Sequence, residues 1–175
     1  MLYIGIDPGA VHSAWAVVDT GGHCLEAHPL RENGMDAEAL GKRLLQFIIV
    51  NKAEIACLTV EWPVPYGGAR ASSVMYAATL RHAEDCERLA KHYELRLVKS
   101  SDDRIRSRVC GYSARRDGHA DPFVREWLHQ KGYRVGRGYL NSEQKRDAVM
   151  AALFGRLSVS SCQLPADQNQ EVKHG

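Results

Sequence analysis

The chain has 175 residues, enough for one domain with a real hydrophobic core, and its 45% hydrophobic and 25% charged residues are those of a soluble globular protein. No apolar run approaches the ~20 residues needed to span a bilayer, and the N-terminus lacks the basic segment and apolar core of a signal peptide. Five scattered cysteines with no C-x-x-C give no zinc site or disulfide framework, which predicts reduced thiols in a cytoplasmic protein. The net charge of +2 conceals an asymmetry: residues 96 to 147 hold thirteen Lys and Arg against seven Asp and Glu, the rest ten against fourteen. A basic excess confined to one half of the chain points to a polyanionic partner, or to a solvated face.

The first twenty residues predict a hairpin. Leu2, Ile4 and Ile6 alternate with Tyr3, Gly5 and Asp7 until Pro8-Gly9 ends the strand, and Ala14 to Val18 returns before Asp19-Thr20-Gly21-Gly22. Asp7 thus stands at the tip of a core strand, either as a turn cap or because something there needs negative charge. His23 to Pro29 is a weak third strand. Asp36 caps a helix of about fifteen residues with Leu40, Leu44, Phe47 and Ile48 at helical spacing. Ile55 to Val60 is the next strand and runs into Glu61-Trp62-Pro63, repeating the pattern of strand, acid and proline. If the two strands are parallel neighbours, Asp7 and Glu61 share the carboxyl edge of the sheet, where open α/β folds bind ligands.

The Pro- and Gly-rich stretch from Pro63 to Ser73 is a loop beside that acid. In it, Tyr66 is a candidate for stacking on an unpaired base and Arg70 for a phosphate contact. A helix capped by Ser72 or Ser73 follows to about His92, then a short strand from Glu94 to Val98. Lys99 to Arg116 carries Lys99, Arg104, Arg106, Arg108, Arg115 and Arg116. Arg104 and Arg108 fall on one helix face, and Arg115-Arg116 on a loop tip suited to bidentate phosphate contacts. Asp121-Pro122 predicts a helix start, with aspartate as cap and proline at the first position. Asn141, with Gln144 three residues on, predicts the cap of the last helix. In that helix Glu143 and Asp147 share a face with Ala151 and Phe154, so Asp147 lies in an apolar stripe. A buried carboxylate requires a cation, either from a neighbour such as Arg146 or Lys145 or from a bound metal. From Ser158 onward the pattern dissolves, giving a domain of residues 1–157 and a disordered tail of residues 158–175.

Three separated acids on an α/β framework with mixed strand directions, without His or Cys in their motifs, suit a hard cation such as Mg2+ or Mn2+. Two such ions would serve a phosphodiester displacement, with the basic segment holding nucleic acid without sequence readout.

These motifs carry a resemblance. The opening Ile-Gly-Ile-Asp-Pro-Gly, the Thr59-Val60-Glu61 strand end and Arg146-Asp147-Ala148 resemble, in order, the three acidic motifs of the RuvC-type Holliday junction resolvases of the RNase H-like superfamily. The Gly-Ala-Arg-Ala-Ser-Ser loop, and the Lys99 to Asp121 stretch with Gly111 and Ala120-Asp121, are similar to segments between those motifs. The likeness covers about residues 1–155. It implies an α/β, RNase H-like fold with a mixed five-stranded sheet flanked by helices. It also implies a homodimer that introduces paired symmetric nicks into four-way DNA junctions, with two Mg2+ (or Mn2+) ions per site. Asp7, Glu61 and Asp147 would be metal ligands. Where the family places an acid or histidine three residues before the final aspartate, this chain has Gln144, and Glu143 is the substitute. Tyr66 is the candidate for the family's loop aromatic. Candidate DNA contacts are Tyr66, Arg70, Lys99, Arg104, Arg108, Arg115, Arg116 and Lys145. The rival readings are a same-fold nuclease for other branched DNA or structured RNA, a non-catalytic junction-binding module, and a sugar-kinase-like phosphotransferase. The last needs two such domains, and this chain holds one.

Overall fold

The computed structural model describes residues 1–31, 37–64, 74–113, 117, 119–136 and 139–161. Its elements in chain order are β1 (Leu2–Asp7), β2 (Ser13–Val18), β3 (Cys24–Arg31), α1 (Ala37–Asn51), β4 (Ile55–Glu61), α2 (Val74–His92), β5 (Leu97–Ser100), α3 (Asp102–Cys110), α4 (Ala120–Gln130) and α5 (Glu143–Ser161). The strands form one mixed sheet in the order β3-β2-β1-β4-β5. The β1–β2 and β2–β3 pairs are antiparallel, and β4 runs parallel to both β1 and β5. This is the expected α/β class with five strands flanked by helices.

The period-two alternation of the strands divides the core into two. Ile4, Ile6, Trp15, Val17, Leu58 and Val60 face α1 and α2, where they meet Leu44, Ile48, Ala83 and Cys86. The other face, with Tyr3, Ala14, Ala16, Val18 and Cys57, packs against α5 and its neighbours α3 and α4. Gly5 lies on this second face. A Cβ there would stand 2.0 Å from the Ala148 carbonyl oxygen and 2.3 Å from the Ala152 amide nitrogen, so only glycine lets α5 approach β1 this closely. Gly155 does the same from the helix side, where a Cβ would stand 2.1 Å from Thr59 Oγ1. The helix is therefore laid directly on the backbone of β1 and on the side chains of Thr59 and Cys57 in β4.

Several local expectations shift. The strand expected from Glu94 begins at Leu97, because α2 closes with Glu94 in the left-handed region (φ 54°) and the Leu95 amide bonded to Ala90 O at 2.8 Å. Helix α4 starts one residue before Asp121, with His119 at the cap position. The Asp121 carboxylate instead accepts two bonds from Arg146, at 2.8 and 2.5 Å. Helix α5 is capped by Ser142 rather than Asn141: its Oγ accepts the Lys145 amide at 3.3 Å, while Asn141 Oδ1 accepts from Lys145 Nζ at 3.0 Å. That helix continues through Ser161, four residues past the boundary expected at 157. Asp36, Ser72 and Ser73 lie outside the described residues. Among the described residues no helix is long and apolar enough to cross a membrane.

Candidate active site

Asp7 and Glu61 end two adjacent parallel strands whose last paired residues are Ile6 and Val60. Both side chains follow the alternation onto the α5 face. Because Gly5 and Gly155 draw α5 onto these strands, its first turns are brought over the carboxyl edge, and Asp147 arrives beside the strand acids, 8% exposed. Glu143, one turn earlier in α5, stands exposed at the rim of the group.

Two further residues complete the cluster, and both were missed from the sequence as site residues. Asp102 opens α3, just past the end of β5. Arg106, one turn later, bonds Asp102 Oδ2 at 2.6 Å and Asp147 Oδ1 at 3.0 Å. The cation beside Asp147 is therefore Arg106 of α3, not Arg146 or Lys145, which are engaged with Asp121 and Asn141. A signal was present: Ser101-Asp102 after β5 repeats the pattern of strand and then acid seen at Asp7 and Glu61, and Arg106 is four residues on.

One guanidinium does not balance this group. Burial, followed by the repulsion of Asp147, pushes the Asp7 carboxyl well above the usual carboxylate range, against a bond from the Gly9 amide at 3.2 Å. Burial and then Asp7 do the same to Glu61. Asp147 is raised by burial to about 7 and Asp102 by burial to about 6, each opposed by Arg106. Arg106 is held more firmly charged, because Asp147 and Asp102 outweigh its own burial. At the same edge the buried atoms Ser100 Oγ, Asp102 Oδ1 and Arg106 Nε have no hydrogen-bond partner among the described residues.

As the side chains lie, no three His, Cys, Asp or Glu residues among those described stand close enough together to hold a metal ion. The donor set nonetheless fits a hard cation in its chemistry. All its donors are carboxylate oxygens, they disfavour one another's ionisation, and one buried carboxylate oxygen lacks a partner.

The candidate DNA contacts fall in different places. Lys99 lies on the α1–α2 side, with Nζ 2.6 Å from Glu87 and 3.9 Å from the centre of the Trp62 ring. Arg104 and Arg108 line a cleft of about 570 Å³ against Phe154, Ser158 and Ser161, in the half of α5 remote from Asp147. Lys145 is in the first turn of α5, at the acid end. Tyr66, Arg70, Arg115 and Arg116 lie outside the described residues.

No family model matches the chain, and no curated protein matches it. Solved structures do. A Thermus thermophilus RuvC structure aligns at a TM-score of 0.60 and 15% identity, over 92% of this chain and 97% of that one. T. thermophilus RuvC in complex with Holliday junction substrate aligns at a TM-score of 0.57 and 16% identity, over 88% of this chain and 91% of that one. In fold, this chain is RuvC-like: an RNase H-type mixed sheet with the acids gathered at the carboxyl edge of its first and fourth strands.

Proposed function

We propose that the chain is a metal-dependent, structure-specific endonuclease that resolves four-way DNA junctions by paired symmetric nicks, acting as a homodimer. The observation that carries this reading is the cluster of Asp7, Glu61, Asp102 and Asp147, half-buried to buried at one sheet edge around a single guanidinium. Like charges gathered in this way are costly unless a polyvalent cation joins them. The likeness in fold to RuvC, one of whose structures holds a Holliday junction, supports four-way junctions as the substrate class.

Asp7, Glu61 and Asp147, with Glu143 at the rim, would hold two Mg2+ or Mn2+ ions. When bound, such ions supply an activated water and a counter-charge for the departing oxygen. The chain itself provides the rigidity. β1 and β4 fix the spacing of Asp7 and Glu61, the Gly9 amide orients Asp7, and α5 is held down by glycine contact. Arg106 neutralises Asp147 and keeps its carboxylate aimed at the group. The basic residues of the 96–147 segment would hold phosphates without reading sequence.

The test is cleavage of a labelled four-way junction with magnesium, beside EDTA and the variants Asp7→Asn, Glu61→Gln and Asp147→Asn. The expected outcome is paired nicks that need the metal and fall at least ~1,000-fold in each variant, a loss of about 4 kcal/mol of transition-state stabilisation, with binding retained. Preferential cutting of flaps or structured RNA would keep the chemistry and change the substrate. Tight binding with no nicks under magnesium or manganese would leave a junction-binding module.

A further inference from the structure

At the opposite end of the sheet from the acids is a second cleft, of about 580 Å³. Its floor is the β2–β3 turn, which follows Val18, the partner of Tyr3 at the start of β1. Its basic lining residues are His23 from the turn, Lys131 at the end of α4, Arg134 and Arg156 of α5, and no acidic side chain lines it. His23 is held by Asp19, at 3.1 Å between side chains. None of the three permanent cations meets a carboxylate within ion-pair distance among the described residues.

The cleft is built rather than incidental. The Tyr133 hydroxyl donates to Gly22 O and the Tyr139 hydroxyl to Cys24 O at 3.1 Å, tying its walls to the turn. Arg156 is anchored by Nε to Thr20 O at 2.7 Å. Gly22 has φ 85°, and a Cβ there would stand 3.3 Å from Arg156 Nη1, so glycine keeps that end of the guanidinium uncovered. A fixed guanidinium with a free edge, flanked by Lys131 and Arg134, is an arrangement that binds phosphate.

We propose that this cleft is a second nucleic-acid contact that holds the phosphate backbone of DNA outside the cleaved position, an inference that rests on the nuclease reading above. Three permanent cations exceed the need of one small anion and suit successive phosphates of a strand. Asp147 and Arg156 are nine residues apart on α5, roughly 14 Å along the helix, or about four nucleotides of one strand. The site accounts for Lys131 and Arg134, part of the basic excess of the 96–147 segment that does not lie at the acid edge.

The experiment is salt-dependent binding of a four-way junction and of a plain duplex, measured in EDTA. It compares wild type, Lys131→Gln with Arg134→Gln, and a charge-matched control, Lys52→Gln with Lys91→Gln, which are exposed and outside the cleft. The cleft variant is expected to bind about tenfold more weakly at moderate salt, with a log–log salt slope shallower by about two, while the control stays within twofold. Unchanged affinity and slope, or an equal loss in the control, would overturn the proposal. So would saturable binding of inorganic phosphate or a mononucleotide that the cleft variant loses while still binding DNA as wild type does. Because cutting is not the readout, a wild type that fails to cut junctions with magnesium counts against the nuclease reading alone.

Discussion

The two faces of the sheet solve different problems. The face toward α1 and α2 is filled by large apolar side chains, with Trp15, Ile4, Ile6, Leu58 and Val60 inaccessible to solvent. The face toward α5 gives up side chains where strand and helix meet: backbone lies against backbone at Gly5, and at Gly155 the helix backbone seats on the small side chains Thr59 and Cys57 of β4. The first face supplies apolar burial. The second spends packing volume to place Asp147 over Asp7 and Glu61, and buries like charges in doing so. The site therefore belongs to the face whose composition is worst for stability and best for position.

The sharpest way to break this contrast is Gly5→Ala. The added methyl would meet the backbone of α5, which cannot rotate away as a side chain can, so a loss of roughly 3 kcal/mol or more is expected. Cutting should fall further than the loss of folded protein accounts for, because α5 carries Asp147. On the other face, Ile4→Val should cost about 1 kcal/mol and leave cutting intact. Thermal melts beside single-turnover cleavage separate the two variants. Wild-type melting and cutting in Gly5→Ala would mean that close helix approach does not position the acids.

The charged group predicts an unusual pH dependence. Asp102 at about 6 and Asp147 at about 7, with Asp7 and Glu61 also raised, hold protons in the folded state that the unfolded chain releases from about pH 4 upward. The folded state then binds more protons, so stability falls as pH rises through this window. His28, pushed down by burial, works in the other direction but is one group. Without divalent ions the melting temperature should drop by about 5 °C or more between pH 5 and pH 8, since 1 kcal/mol moves a domain of this size by about 2–4 °C. Magnesium should raise it more at pH 8 than at pH 5, and Asp7→Asn should flatten both effects. A melting temperature that rises with pH in EDTA would show that the acids are not mutually strained.

Much of this was legible in the chain. The alternation of β1 and β4 and the acid after each strand placed Asp7 and Glu61 at one edge, and the i, i+4 spacing placed Glu143 with Asp147. The Arg106–Asp147 pair was not, because its partners are 41 residues apart and only the packing of α3 on α5 brings them together. Gly5 was read as part of the opening strand motif and not as a packing position, since nothing local marks which glycine a helix will cross. One cap moved for the same reason: Asp121 is drawn to Arg146 by tertiary contact and lies inside the first turn of α4, with His119 at the cap position.

The smallest expected effect concerns how α5 begins, and so how its acids are phased. Ser142 Oγ accepts the Lys145 amide, and the Arg146 amide bonds Ser142 O at 3.3 Å, so the serine fixes the turn that carries Glu143 and sets up Asp147. Ser142→Ala should cost about 1 kcal/mol. Asn141→Ala removes only an exposed bond from Lys145 Nζ and should cost a few tenths at most, about the scale of an exposed i, i+4 pair. The two substitutions are one residue apart, and their ratio in denaturant melts tells which residue is the cap. If Asn141→Ala were the costlier, the helix would begin a residue earlier in solution. Glu143 and Asp147 would keep their shared face, but the orphan amides at the start of α5, and their pull on Glu143, would shift by about 100° around the axis.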